Sequence, residues 1–459
     1  MPSPGDARFV PYGNGIATIL VAKSSNHAFK LAFHLGKKGL HDSLGNRMLV
    51  RRIGPPKPAP ASNQWSEFTV SALESFDFDA EPPAAAAPKI AIFLQNLTFG
   101  GTERMMLNLA GGIADTGAAV DLVLAQARGS FLSTIPKNVR LVDLGGRRTV
   151  RSIPALARYL RRERPVALLS ALTHVNVAAF LATCLAGHRC RIVVSERTTI
   201  SQESAEIKAF SVRAAYRLVP WVYSRADGIV TVSQGAAEDL AHYCKLPIDR
   251  VEVINNPVVG PTLAQRAAEP LDHPWFAAGE PPVVLCVGRL NPEKEFGTVV
   301  RAVAELATQR PVRLMILGAG RERAALEALV DELGVRDCVQ LPGFAANPYA
   351  YMARAAVLAL SSRWEGSPNV LVEAMALGTP VVATDCRSGP AELLEGGRYG
   401  PLVTVGDAAG MAAAIGQMLD APVATEMLKA RAGMFTVAHA ADAYLRVLLG
   451  DESGKRQAT

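Results

Sequence analysis

The 459-residue sequence predicts an α/β protein made of two consecutive doubly wound parallel-sheet domains behind an N-terminal extension. Three observations predict it. The chain is 49% hydrophobic and only 20% charged, too apolar for a disordered chain, and it is long enough for two or three domains with their own cores. From Lys89 onward, short Val/Ile/Leu runs alternate with helical stretches, as a parallel sheet covered on both faces requires. That alternation runs through twice, interrupted by a polar, proline-containing link over 261–281.

The elements follow in order. Residues 1–88 carry two Pro/Ala stretches, Pro55–Ser62 and Pro82–Pro88, which favour extended, unpacked backbone. Within them residues 15–22 read as a strand with no partner nearby, and the segment is expected to be a dispensable, low-order extension. The first domain, 89–260, has strand-like runs starting at Lys89, Ala119, Val139, Val166, Arg191, Gly228 and Val251. The second, 282–435, has them starting at Pro282, Val312, Val339, Ala356, Pro380 and Gly400. A last helix is expected over 436–450.

Several function classes drop out on composition. The six cysteines are scattered singly with no CxxC pair, which argues against a disulfide framework or a structural zinc and fits a reducing cytoplasm. The most apolar stretch, 166–187, is interrupted by Thr173, His174 and Asn176, and reads as buried strand plus helix. The first ten residues lack the pattern of a secretory signal. A net charge of +6 is mild, and no nucleic-acid partner is expected. The excess is local: residues 89–260 hold 21 Lys/Arg against 13 Asp/Glu. Arg147, Arg148, Arg151, Arg158, Arg161, Arg162 and Arg164 crowd around one predicted helix. This is either a solvated helix face or a contact for an anionic membrane surface.

Ligands of doubly wound sheets bind beyond the carboxyl ends of the strands, so the strand-to-helix loops are where chemistry is sought. The richest is Ser361–Asp385. There Glu365 stands in the loop, Ser367-Pro368 is expected to cap and open a helix, and the amides of Asn369 and Val370 would favour an anion. Glu373 follows on that helix, so both carboxylates can face one ligand. In Val284–Phe296, Arg289 and Lys294 place two cations at a strand end, suited to a departing diphosphate. In Asn96–Met106, Gly100-Gly101 permits close approach to a ligand, with Thr102 as the expected helix cap. This loop is neither a Walker loop nor a GxGxxG fingerprint, and Gly318-Ala319-Gly320 has only two of that fingerprint's glycines. His174 follows a strand, though a lone histidine is more often a packing residue. Asp77-Phe78-Asp79 matches a metal-binding DxD pattern beside a Pro/Ala stretch, and is read as chance.

These residues, in this order, resemble the family-4 (group 1) retaining glycosyltransferases of GT-B fold, over about Lys89–Gly450. The likeness is densest in Gly288–Lys294, Leu317–Gly320, Leu341–Phe344 and Glu365–Glu392, and it includes the Glu365…Glu373 E-x7-E pattern. The resemblance implies two facing Rossmann-like domains, with the last helix crossing back to the first. It implies that Arg289 and Lys294 bind and stabilise the donor diphosphate, and that Glu373 binds the ribose hydroxyls. Glu365 and the Gly366, Ser367, Pro368, Asn369 and Val370 backbone would contact the donor sugar and phosphates. Gly343 and Phe344 would line the base pocket. Gly100 and Gly101 would close over the phosphates, and His174 would sit near the reacting sugar.

No cofactor and no divalent metal are expected. Ser195–Ser201 departs from related loops, which leaves the acceptor contacts open. Asp385–Val403 looks most like bacterial enzymes building lipid-linked oligosaccharide, lipopolysaccharide or capsule. That implies a UDP-sugar donor, a lipid-linked or polysaccharide acceptor, and a cytoplasmic protein held peripherally at the inner leaflet. A GT-B nucleotide-sugar epimerase, a nicotinamide-dependent oxidoreductase and a non-catalytic sugar-nucleotide-binding subunit are the competing readings. The E-x7-E block speaks against the first of these and the missing GxGxxG against the second.

Overall fold

The computed structural model describes residues 87–450, apart from 99, 147, 188–189 and 207–209, together with three strands within residues 7–36. The chain divides into a unit over 1–85 and a unit over 86–459. In the first, β1 (Ala7–Tyr12), β2 (Gly15–Lys23) and β3 (Phe29–Gly36) pair antiparallel in that order. The strand expected at 15–22 therefore has partners on both sides. The antiparallel neighbours had no apolar run long enough to be noticed in the sequence. Asp77 and Asp79 lie outside the described residues.

The second unit holds two parallel sheets. The strands of the first are β4 (Lys89–Leu94), β5 (Ala119–Leu124), β6 (Val139–Asp143), β7 (Ala167–Ala171), β8 (Arg191–Ser195), β9 (Gly228–Thr231) and β10 (Val251–Val253). Their order is β10-β9-β8-β7-β4-β5-β6. The second sheet contains β11 (Val283–Val287), β12 (Arg313–Leu317), β13 (Val339–Gly343), β14 (Val357–Leu360), β15 (Val381–Thr384) and β16 (Leu402–Val403), in the order β13-β12-β11-β14-β15-β16.

The apolar runs are continuous because each strand feeds two cores. In β4, Ala91 and Phe93 join the core on one face while Ile90, Ile92 and Leu94 join the core on the other. In β11, Val284 and Cys286 are likewise divided from Val283 and Leu285. With period-2 side chains, only an unbroken hydrophobic run can satisfy both faces. Both orders reverse at a switch point, between β4 and β7 in the first sheet and between β11 and β14 in the second. A crevice opens there beyond the strand ends.

The helices of the first lobe are α1 (Gly101–Asp115), α2 (Thr149–Glu163), α3 (Thr173–Ala186), α4 (Ile200–Glu206), α5 (Phe210–Tyr223) and α6 (Gln234–Cys244). The expected link is not an open tether. Within 261–281 it folds α7 (Pro261–Ala267) and a 3-10 turn, Pro274–Phe276, whose Leu263, Ala267 and Trp275 enter a core of the second lobe. Leu263 and Ala267 have helical spacing but span a single turn, too short a stretch to show as a period in the sequence. The second lobe continues with α8 (Phe296–Ala307), α9 (Arg323–Glu332), α10 (Pro348–Met352), α11 (Asn369–Leu377), α12 (Pro390–Leu393), α13 (Ala408–Asp420) and α14 (Thr425–Ala432).

The final helix, α15 (Val437–Leu449), returns to the first lobe. Its buried Tyr444, Val447 and Leu448 join the core built on β4 and α1. The return strand segment runs beside the outward one: Val259 bridges Thr436 in parallel, and the Val258 and Val259 amides both donate to the Phe435 carbonyl. Gly112, inside α1, lets α15 approach. A Cβ there would stand 2.6 Å from Val437 Cγ1, which accounts for a glycine that an isolated helix would disfavour by about 1 kcal/mol.

Candidate active site

The loops singled out in the sequence converge on the two switch points. Asn96–Gly101 and His174 flank the first, while Arg289–Lys294 and Ser361–Asn369 flank the second. β14 is followed by buried Ser361 and Ser362. Ser361 Oγ donates to the Lys294 carbonyl at 2.8 Å, and Ser362 Oγ to Glu365 Oε1 at 2.6 Å. Lys294 Nζ makes an ion pair with that same carboxylate oxygen. Lys294 and Glu365 thus form one charge-paired unit at the mouth of the sheet.

Arg289 is exposed at the end of β11. Its charge acts on two first-lobe carboxyls, Glu103 and Glu203, both of which burial pushes upward in pKa. The loop bearing it is braced from β12: the Gly288 amide donates to Leu317, and the Leu290 amide to Ala319. Gly318-Ala319-Gly320 therefore serves the Arg289 loop by backbone packing.

Helix α11 begins one residue later than expected. Pro368, and not Ser367, occupies the cap position, with extended backbone and no side-chain cap hydrogen bond. The Ser367 carbonyl instead accepts from Asn256 Nδ2 at 3.4 Å, and the same amide nitrogen meets Asn369 Oδ1 at 2.6 Å. The Asn369 and Val370 amides, as first and second helical residues, have no acceptor within the helix. Gly100 and not Thr102 caps α1, again one or two residues from the expected start, because the extended Gly100 (φ −165°) already positions the first helical amide. Gly101 opens the helix against the second lobe, where a Cβ would stand 3.2 Å from Asn369 Nδ2.

The two lobes meet across this loop. Thr199 Oγ1 donates to the Glu365 carbonyl at 2.8 Å, and Ser233 Oγ to the Gly366 carbonyl at 2.6 Å. The Gln234 and Gly235 amides, at the start of α6, donate to the Glu392 carboxylate at 2.7 and 2.8 Å. Gly366 is required by this closure, since a Cβ would lie 2.2 Å from the Arg197 carbonyl oxygen. Overpacking of this kind costs about 1–3 kcal/mol. Gly366→Ala is therefore expected to lower kcat/KM by about tenfold or more through impaired closure. Steady-state kinetics showing less than a twofold change would mean that the lobes accommodate the methyl group.

His174 lies in the first turn of α3, with Nε2 2.9 Å from Gln95 Oε1. Burial lowers its pKa, so the ring is neutral at neutral pH. The preceding Leu172 has φ +79°, a left-handed backbone that a branched side chain rarely adopts and that is typical of strained functional turns. Glu373 is fully buried below the cleft and paired with Arg104 of the first lobe at 2.7 Å. Gly343 ends β13 with φ +98°, and Phe344 beyond it is 54% exposed.

Sequence reasoning missed Arg104, Tyr349, Asn256 and Glu196. Glu196 is buried at the end of β8 and accepts from Thr173 Oγ1 and Tyr223 OH, both at 2.9 Å. Burial, with help from the nearby Glu203 charge, pushes its pKa up to about 7. Its place in the atypical Ser195–Ser201 loop was the only available signal. Among the described residues no three His, Cys, Asp or Glu side chains cluster as a metal site.

The arginine-bearing helix, α2, starts at Thr149 and presents Arg151, Arg158, Arg161 and Arg162 to solvent, with Arg148 and Arg164 exposed at its ends. Arg147 lies outside the described residues. Between α2 and α3 runs an open groove of about 580 Å³ lined by Pro154, Ala157, Arg158, Arg161, Arg162 and Leu185. Leu185 is 59% exposed, and Trp221 on the neighbouring α5 is 43% exposed. No described helix is long and apolar enough to cross a membrane.

Two family models match the chain: Glycosyltransferase Family 4 over residues 99–259 and Glycosyl transferases group 1 over 281–421. A Campylobacter jejuni relative, N-acetylgalactosamine-N,N'-diacetylbacillosaminyl-diphospho-undecaprenol 4-alpha-N-acetylgalactosaminyltransferase, is 30% identical over 72% of this chain and 90% of its own length. The lipopolysaccharide core biosynthesis glycosyltransferase LpsE of Rhizobium meliloti is 37% identical over 36% of this chain and 49% of that protein. Among solved structures, Anabaena HepE in complex with UDP and glucose superposes with a TM-score of 0.63 at 21% identity, covering 79% of this chain and all of HepE. The lipopolysaccharide outer core galactosyltransferase WaaB superposes at 0.60 and 19%, covering 79% of this chain and 99% of WaaB. With two facing parallel-sheet lobes and a relative matched along nearly its whole length, the chain belongs to the group 1 glycosyltransferases of GT-B fold.

Proposed function

We propose that this glycosyltransferase moves a hexosyl or N-acetylhexosaminyl group from a UDP-sugar to a lipid-linked saccharide or polysaccharide. The reaction retains the anomeric configuration and belongs to bacterial cell-surface glycan synthesis at the inner face of the cytoplasmic membrane. The observation that carries the reading is the convergence of Arg289, the Lys294–Glu365 pair and the start of α11 at one switch point, opposite His174. A fixed cation and free helix amides favour the diphosphate as it takes up charge on leaving.

In this reading Glu365 and the Gly366–Val370 backbone hold the donor sugar and phosphates, and Glu373 binds the ribose. Exposed Phe344 stacks on the base. Gly100 and Gly101 close over the phosphates. Neutral His174 meets the reacting sugar and the acceptor. The bond from the anomeric carbon to the diphosphate breaks, the bond to the acceptor oxygen forms, and the acceptor proton leaves with the diphosphate. The C. jejuni relative, named for an undecaprenyl-diphosphate-linked acceptor, and HepE, seen with UDP and glucose, support the acceptor and donor classes. The Arg158–Arg162 face with exposed Leu185 and Trp221 supports peripheral membrane docking.

Incubation with radiolabelled UDP-sugars and membrane extract tests the reading. Label in the lipid or polysaccharide fraction is expected. Epimerised donor, or binding without turnover, would replace the transferase reading by one of the alternatives. EDTA is expected to leave turnover unchanged, because Arg289 and the α11 start supply the positive field. Activity that vanishes with chelation and returns with a divalent ion would refute metal independence.

A further inference from the structure

We infer that Arg104, on the first lobe, is a nucleotide-binding residue: paired directly with Glu373 of the second lobe, it offers with that carboxylate one donor and one acceptor to a ribose hydroxyl. Arg104 stands on α1 three residues beyond Gly101, and its Nη2 donates to Glu373 Oε1 at 2.7 Å. Tyr349 OH donates to that same oxygen at 3.3 Å, and the Arg104 guanidinium lies 5.4 Å over the Tyr349 ring.

The pairing is incomplete in an informative way. Arginine and carboxylate prefer a two-pronged contact. Here the contact is single, and a buried atom on each side is left without a partner among the described residues: Glu373 Oε2 and Arg104 Nε. Glu373 is 0% exposed, so bulk water does not satisfy that oxygen. A simple strut between lobes would be stronger with both prongs made. One acceptor and one donor left open on two touching groups match a hydroxyl, which gives one hydrogen bond and takes one. A phosphate would suit Arg104 Nε but be repelled by Glu373 Oε2, and an ammonium would suit only the carboxylate. Because the two residues belong to different lobes, a hydroxyl completing the pair also ties the lobes together. The inference rests on the proposed reading of Glu373 as the ribose contact and adds the arginine that shares that contact.

The test compares binding of UDP, GDP and ADP, and of the 2′,3′-dideoxy form of whichever binds the wild-type chain best. Wild type is expected to prefer the ribose form about tenfold, what one hydrogen bond to a charged group contributes. R104A should lose that preference, binding both forms within about twofold, and E373Q should behave alike, with no further loss in the double variant. R104K, which keeps the charge but not the planar fork, should retain only part of the preference, and it decides the question if R104A does not fold by thermal unfolding. Full hydroxyl preference in either Arg104 variant overturns the assignment while leaving the donor reading intact. Absence of nucleotide binding or of hydroxyl preference in the wild type overturns the donor reading, and this assignment with it.

Discussion

Replacing Arg289 by alanine is expected to lower kcat/KM by about 2–4 kcal/mol, roughly 30- to 1000-fold. The magnitude follows from which charges remain available at the site. Lys294, the other cation of that strand end, is already paired with Glu365. Arg289 is exposed at the end of β11, and its charge reaches Glu103 and Glu203 through space. It is therefore the group freest to answer charge that develops as the diphosphate departs. Being exposed, it can be removed without opening a cavity, so thermal unfolding should change by less than about 0.5 kcal/mol. Activity within threefold of wild type would remove Arg289 from the catalytic centre.

The second large effect is expected at the membrane. Each basic residue near an anionic leaflet contributes about 1 kcal/mol, so reversing Arg158, Arg161 and Arg162 to glutamate removes about 3 kcal/mol and adds repulsion. Binding to anionic liposomes should fall by at least about a hundredfold, while donor hydrolysis is unchanged, since α2 is a separate element from the strand-end loops. The wild-type chain should sediment with anionic liposomes at low salt and be released near about 0.5 M, where the screening length falls to about 4 Å. Exposed Leu185 and Trp221 beside the groove would add an apolar, salt-insensitive share. Equal sedimentation with neutral and anionic liposomes, or an unaffected triple variant, would reduce the cluster to a solvated helix face.

Much of the fold was legible because parallel strands buried on both faces leave a local mark. Ile90–Leu94 and Val283–Cys286 are each unbroken apolar runs, and both became central strands. Helix starts were less legible. Ser367 resembles a cap, yet its carbonyl faces Asn256 of the other lobe and the helix opens at Asn369. The segment 261–281 reads as a link because its one helically spaced buried pair, Leu263 and Ala267, spans a single turn, too short to stand out as a period. The partners of β2 went unseen because antiparallel strands need only alternating apolar patterns, which are weaker in sequence than unbroken runs.

The two sheets, the strand-end loops and the residue types gathered there are legible in the sequence pattern: Arg289, Lys294, Glu365, Glu373, Gly366 and His174. These follow from local chemistry, namely the period of apolar residues, the placement of glycines and the clustering of opposite charges. Packing sets which of these charges meet. Lys294 pairs with Glu365 across 71 residues, and Arg104 pairs with Glu373 across 269. It also decided that Gly366 is needed for contact with Arg197 rather than for its own turn. Glu196, unremarkable in sequence, reaches a pKa of about 7 only because β8, α3 and α5 bury it together. Burial and long-range pairing depend on how separate segments pack, and no local pattern encodes the distance between them.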